Sequence, residues 1–188
     1  MKPLRMGLNA LAVVAAAITS LIMYNAAAQS PRPYAGMQTR PIKALSAQQV
    51  VDLEAGRGIT LALAAELNGY PGPRHVLELA DQLGLTDQQR ADVQRLFEEM
   101  TAEAVPIGQR LISQEAELDR LFVRRVITES SLSSITTAIG ITQAELRNIH
   151  LKYHLITSGL LTTSQMQHYS RLRGYGDQGS ETQHIPNH

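Results

Sequence analysis

Leu132, Ile135, Ile139, Thr142, Leu146, Ile149, Tyr153, Ile156 and Leu160 follow one another at steps of three and four that alternate without a break. A stripe of that period covers one side of an α-helix and must be buried along a partner lying at a shallow angle. The partner is close by in sequence. Val93, Phe97, Met100, Ala104, Ile107, Leu111, Leu118 and Leu121 form a looser helical pattern over Asp87 to about Arg125, with Pro106 expected to kink it. Only a few residues near Val126-Ile127-Thr128 separate the two patterns, which predicts a long antiparallel helical hairpin.

The rest of the chain offers short helices and no useful β-alternation. Ala47 to Asn68 is broken by Gly56-Arg57-Gly58 and closed by Gly69, which predicts two short helices or one bent one. Pro73 opens a further short helix stopped by Gly84, and Thr163 to Arg173 forms a last one. Two Phe and no Trp suit leucine- and alanine-rich helix seams better than a β-sandwich, so the expected class is all-α. A hairpin with short flanking helices makes a thin core, and there are no cysteines to staple it. A homodimer is therefore expected.

Helix starts are marked by capping boxes, in which a Ser or Thr oxygen accepts from the backbone three residues on and a Gln or Glu reaches back. They stand at Ser46–Gln49, Thr86–Gln89, Thr142–Glu145 and Thr162–Gln165, the third discounted because it falls within the long stripe.

At the N-terminus Lys2 and Arg5 precede an apolar run from Met6 to Met23, followed by Ala26-Ala27-Ala28. That is the layout of an export signal, expected to be cleaved before Gln29 or retained as a membrane anchor. The domains read as signal 1–28, extended linker 29–44, helical domain 45–173 and disordered tail 174–188. Removing the signal takes 2 of 17 basic residues and none of 17 acidic ones, leaving a net charge of −2. Such a balance offers nothing to nucleic acid. Phosphate loops, nucleophile elbows, His-Glu-x-x-His and cysteine nucleophiles are absent, so no enzymatic activity is expected. Glu98, Glu99, Glu103, Glu115, Glu117 and Asp119, interleaved with Arg95, Arg110 and Arg120, read as a solvated, salt-bridged helix face.

His150 and His154, four residues apart on the second long helix, can present two imidazoles to one divalent ion of the Zn, Ni, Co or Cu type. They sit on the flank of the stripe, either accessible or facing another helix. Two ligands do not complete a site. His75 and Glu78 are the best additional candidates, with Met100, Glu103 and His168 behind them.

Leu85-Thr86-Asp87-Gln88-Gln89 and Leu161-Thr162-Thr163-Ser164-Gln165 both match Leu-Thr-x-x-Gln. Together with the signal segment and the hairpin, over roughly residues 70 to 175, they resemble the Spy/CpxP periplasmic family, a superfamily that includes the zinc-responsive ZraP and the heavy-metal sensor CnrX. The resemblance implies that Leu85, Thr86, Gln89, Leu161, Thr162 and Gln165 form the family motif. It also implies a metal role for His150 and His154, which stand where the metal-sensing branch carries a His four residues before His or Met. That branch draws further ligands from its N-terminal side, where this chain offers only His75 and Glu78 and at a different spacing. The expected function is a periplasmic heavy-metal-binding sensor or resistance accessory of the envelope stress response, coupled to a membrane-bound regulator. The alternatives are an ATP-independent chaperone for unfolded envelope proteins and an interaction domain that does neither.

Overall fold

The computed structural model describes residues 34–175. The export signal, the start of the linker and all of the tail beyond Tyr175 lie outside the described residues. The chain divides into two compact units, Met1–Thr39 and Arg40–His188. In the first, a 3-10 turn at Met37–Thr39 is closed by Met37 N donating to the Tyr34 carbonyl at 3.0 Å. The second is built from α-helices alone among the described residues: α1 (Ala47–Glu54), α2 (Leu63–Glu66), α3 (Pro73–Glu78), α4 (Asp87–Val123), α5 (Glu129–Leu160) and α6 (Thr163–Leu172). None of these is long and apolar enough to cross a membrane.

Of the two readings for Ala47 to Asn68, two short helices is the observed one, because Gly56 turns the chain at φ +66° where an L side chain is disfavoured. Capping boxes start α1, α4 and α6 at Ser46, Thr86 and Thr162, and a fourth, with Ser131 as the returning side chain, starts α5 at Thr128. Thr142 is a buried residue inside α5. Helix α4 runs without interruption through Pro106.

The two long helices pack on each other around Leu96, Met100, Ala104, Leu111, Ile139, Leu146 and Ile149. Their cross-links run in opposite chain order, Gln89 with Leu160, Glu103 with Tyr153 and Arg110 with Glu145. The stripe on α5 is buried from Ile139 to Tyr153 but not at its ends. Leu132 is exposed, and Ile156 (42% exposed) gives its place to Thr157 (0%). An α-helix has 3.6 residues per turn, so a strict 3.5 repeat drifts by about 20° per heptad, and the buried face advances by one residue. The expected solvated face of α4 needs one correction. Glu115 is buried, and burial pushes its carboxyl above the usual range.

Helix α1 crosses α4 so closely that a Cβ on Gly108 would stand 2.4 Å from the Leu53 carbonyl oxygen. A second core, of Val76, Leu83, Val93, Leu161 and Tyr169, joins α3, the start of α4 and α6. Here the two motif glutamines meet. Gln89 Nε2 donates to Gln165 Oε1 at 3.0 Å, and Gln165 Nε2 returns the bond to Gln89 Oε1 at 3.1 Å. Each amide oxygen also accepts from the backbone N–H of its own cap, Thr86 or Thr162. Each amide nitrogen also reaches a carbonyl, Leu160 for Gln89 and Leu83 for Gln165. The two boxes thus form one interlocked unit.

Two stability measurements check this packing. In a helix interior Gly→Ala ordinarily stabilises by about 1 kcal/mol; Gly108→Ala is expected to destabilise by about 1–3 kcal/mol in urea, because backbone rather than a mobile side chain occupies the space. Gln89→Ala and Gln165→Ala should each cost about 1–3 kcal/mol, and the double variant less than their sum, since the second change removes a partner already lost.

Candidate functional site

Glu66 ends the one-turn helix α2 and is 5% exposed. A carboxylate in that position needs donors from every side. Tyr169 of α6 donates its hydroxyl to Oε1, and Tyr175 donates to the same oxygen at 3.3 Å. Gly72 N donates to Oε2 at 3.3 Å. His75 Nδ1 of α3 stands 3.3 Å from Oε1, His154 Nδ1 of α5 stands 3.7 Å from Oε2, and Arg173 Nε is 3.7 Å from Oε1. Burial pushes the carboxyl up, but hydrogen bonds from His75 and Tyr169, the charge of His75 and the Gly72 N–H together bring it down to about 2. The Tyr169 phenol is held far above its ordinary range by burial and by this bond.

Glu66, His75 and His154 line one side of an open cavity of about 580 Å³, whose other walls include Asp52, Arg57, Arg74, Phe97 and Met100. His154 Nδ1 lies 2.7 Å from the Tyr70 carbonyl. A carbonyl only accepts, so Nδ1 carries a proton, and Nε2 lies on the opposite edge of the ring. Gly72 covers that edge, where a Cβ would come within 2.6 Å of Nε2.

One turn earlier, His150 is 3% exposed, and its Nε2 has no hydrogen-bond partner among the described residues. Gly58 lies on its ring, where a Cβ would meet Cγ and Nδ1 at 3.0 Å. Burial, with a smaller effect from neighbouring His154, pushes this imidazole down to about 4, so it is neutral at pH 7. The pair was expected to be accessible or to face another helix; instead both rings are buried against the connecting loops on either side of α2.

The other candidates are scattered. Glu78, exposed, accepts from Arg74 Nε at 2.9 Å and does not line the cavity. Glu103 bonds Tyr153 and Lys152 across the long helices. His168 stands by Arg171 at 3.5 Å. Among the described residues no group of three or more His, Asp and Glu is placed to hold a metal ion. What sequence reasoning missed is Glu66, an acidic residue within Leu63-Ala64-Ala65-Glu66-Leu67. A lone carboxylate in an apolar run was the available signal.

His150 and Glu66, the two groups shifted furthest in the acid range, make the largest contributions to the acid limb of stability. His150 binds its proton less tightly folded (about 4) than unfolded (about 6.5), so its contribution is complete above pH 6.5 and is lost as pH falls toward 4. Glu66, about 2 when folded and about 4.3 unfolded, contributes above pH 4.3 and loses that contribution as pH falls toward 2. Urea midpoints should therefore begin to drop below pH 6.5, each group adding at most about 1.4 kcal/mol per pH unit. His150→Leu should flatten the slope between pH 6.5 and 4 and leave the lower one. An unchanged profile would contradict the burial assigned to His150. Comparisons with protein-family profiles, with characterised proteins and with solved structures find no match to this chain.

Proposed function

We propose that this chain is an exported, non-enzymatic protein that binds a divalent transition metal, of the Zn, Ni, Co or Cu type, and senses or buffers it in the periplasm. The observation that carries the reading is the approach of two imidazoles, His75 and His154, to the buried, ionised carboxylate of Glu66; as placed the three do not surround an ion, so binding would draw them together. In this reading Glu66 takes the role first expected of Glu78, whose carboxylate is engaged by Arg74. Two imidazoles and a carboxylate are a donor set suited to these ions. His75 Nδ1 stands 3.3 Å from Glu66 Oε1 and His154 Nδ1 3.7 Å from Oε2, so an ion would be reached from both oxygens of the one carboxylate.

The ion would have to take His154 Nδ1 from the Tyr70 carbonyl, and binding would thereby reach the loop between α2 and α3. That coupling is what a sensor with a membrane-bound regulator requires. His150, neutral and with an unpartnered Nε2, stands one turn away as a further donor. The paired Leu-Thr-x-x-Gln caps support the same family reading.

We further propose that α4 and α5 are the arms of an antiparallel hairpin and that the protein is a homodimer. Thr137, Ile141, Ala144, Asn148, Leu151 and Leu155 form a second, uncharged stripe on α5, with Ile141 56% and Leu155 60% exposed. Those exposed apolar residues also favour the second reading, an ATP-independent chaperone that holds unfolded envelope proteins.

Isothermal titration of the protein with Zn, Ni, Co and Cu salts separates the readings. At least one metal should bind, and His75→Ala/His154→Ala should weaken it by about tenfold or more. His75 is half-buried at the surface, so His75→Ala alone keeps the test open if the double variant misfolds. Equal, weak binding by all three proteins would end the metal reading. Suppression of client aggregation without metal, unchanged in the variants, would support the chaperone.

A further inference from the structure

The turn between α4 and α5 closes as a Schellman motif. Val126 N donates to the Leu121 carbonyl at 3.2 Å and Arg125 N to the Phe122 carbonyl at 3.0 Å, with Arg125 in the left-handed region at φ +55°. Glycine adopts that conformation freely, whereas a residue with a Cβ is strained in it. The chain nevertheless carries a cation there. Around it the surface is apolar: Phe122 is 53% exposed, Val123 67% and Val126 57%, with Leu132 beside them on the first turns of α5. The neighbouring acids are largely engaged, Glu117 by Arg120 and Asp119 by Lys43, with Arg124 adding to the field at Glu117. Glu129 is the remaining acid of the turn. Arg125 makes no ion pair among the described residues.

We propose that this tip docks on an anionic lipid bilayer, with Phe122, Val123 and Val126 entering the acyl boundary and Arg124 and Arg125 lying in the plane of the headgroup phosphates. Exposed aromatic and aliphatic side chains bracketing adjacent arginines are the pattern of an interfacial anchor. The charge complementarity selects lipid phosphate over a neutral surface. The tip lies at the far end of the long helices from the Gln89–Gln165 unit, and it rests on observations separate from the metal reading.

The chain has no tryptophan, so Phe122→Trp supplies a single reporter at the tip and Leu67→Trp, on an exposed residue near the cavity end, a control. With vesicles of phosphatidylglycerol and phosphatidylcholine, Phe122→Trp emission should shift to shorter wavelength and be quenched by brominated acyl chains. With phosphatidylcholine alone it should not, and Leu67→Trp should stay unshifted in both, whatever the N-terminal segment does. Adding Arg125→Gly should weaken the lipid-induced shift about fivefold while leaving Tm equal or higher, which a merely structural role for Arg125 would not produce. Three results would each overturn the proposal: no shift with anionic vesicles, an equal shift at Leu67→Trp, or a shift that follows protein concentration without lipid, which would seat the tip on a second copy.

Discussion

The small elements of this protein are organised by one buried charge. Glu66 is removed from water, and an ionised carboxylate in that position is tolerated only if donors surround it. Those donors come from Gly72, His75, Tyr169 and Tyr175, with His154 and Arg173 close behind. Helix α2 has four residues and α3 has six, lengths at which isolated helices do not persist in water. The carboxylate fixes where they lie relative to α5 and α6, and so determines the cavity.

The long helices depend on it less. Their contact is apolar, and their ends are held by the Gln89–Gln165 pair, which satisfies cap donors on α4 and α6 together. Both N–H donors and both lone pairs of each amide find partners in one place, leaving no donor of the pair wanting. A repeated cap motif then has a physical meaning beyond starting two helices. It brings the starts of α4 and α6 together and seats the Leu160 and Leu83 carbonyls between them.

Much of this architecture was legible because it is periodic or capped. The α5 stripe, the Thr86 and Thr162 boxes and the break at Gly56 each carry a local signal that tertiary packing did not override. The ends of the stripe were not legible, since whether Ile156 or Thr157 is buried depends on helical drift against a partner rather than on spacing. The pairing of Gln89 with Gln165, 76 residues apart, has no local signature either. In the site, His154 and His75 were found by residue type, but Glu66 was hidden because a single turn of helix has no period to read. Glu78 was favoured by its position one turn from His75, but Arg74, four residues before it, takes its carboxylate.

The placement of the histidines bears on how a signal could leave the site. His150 and His154 belong to a helix of 32 residues whose other face is locked to α4, so a change at the imidazoles has little freedom to move α5. The opposite side of each ring touches glycine, Gly58 for His150 and Gly72 for His154. These glycines lie in the connections before and after α2, outside the long helices. Ile59, beside Gly58, is held at φ +50°, a strained conformation for a β-branched residue. An event that displaced either ring would therefore be relieved through these two connections and through Glu66 between them. The long helices serve as the fixed frame against which that movement is made.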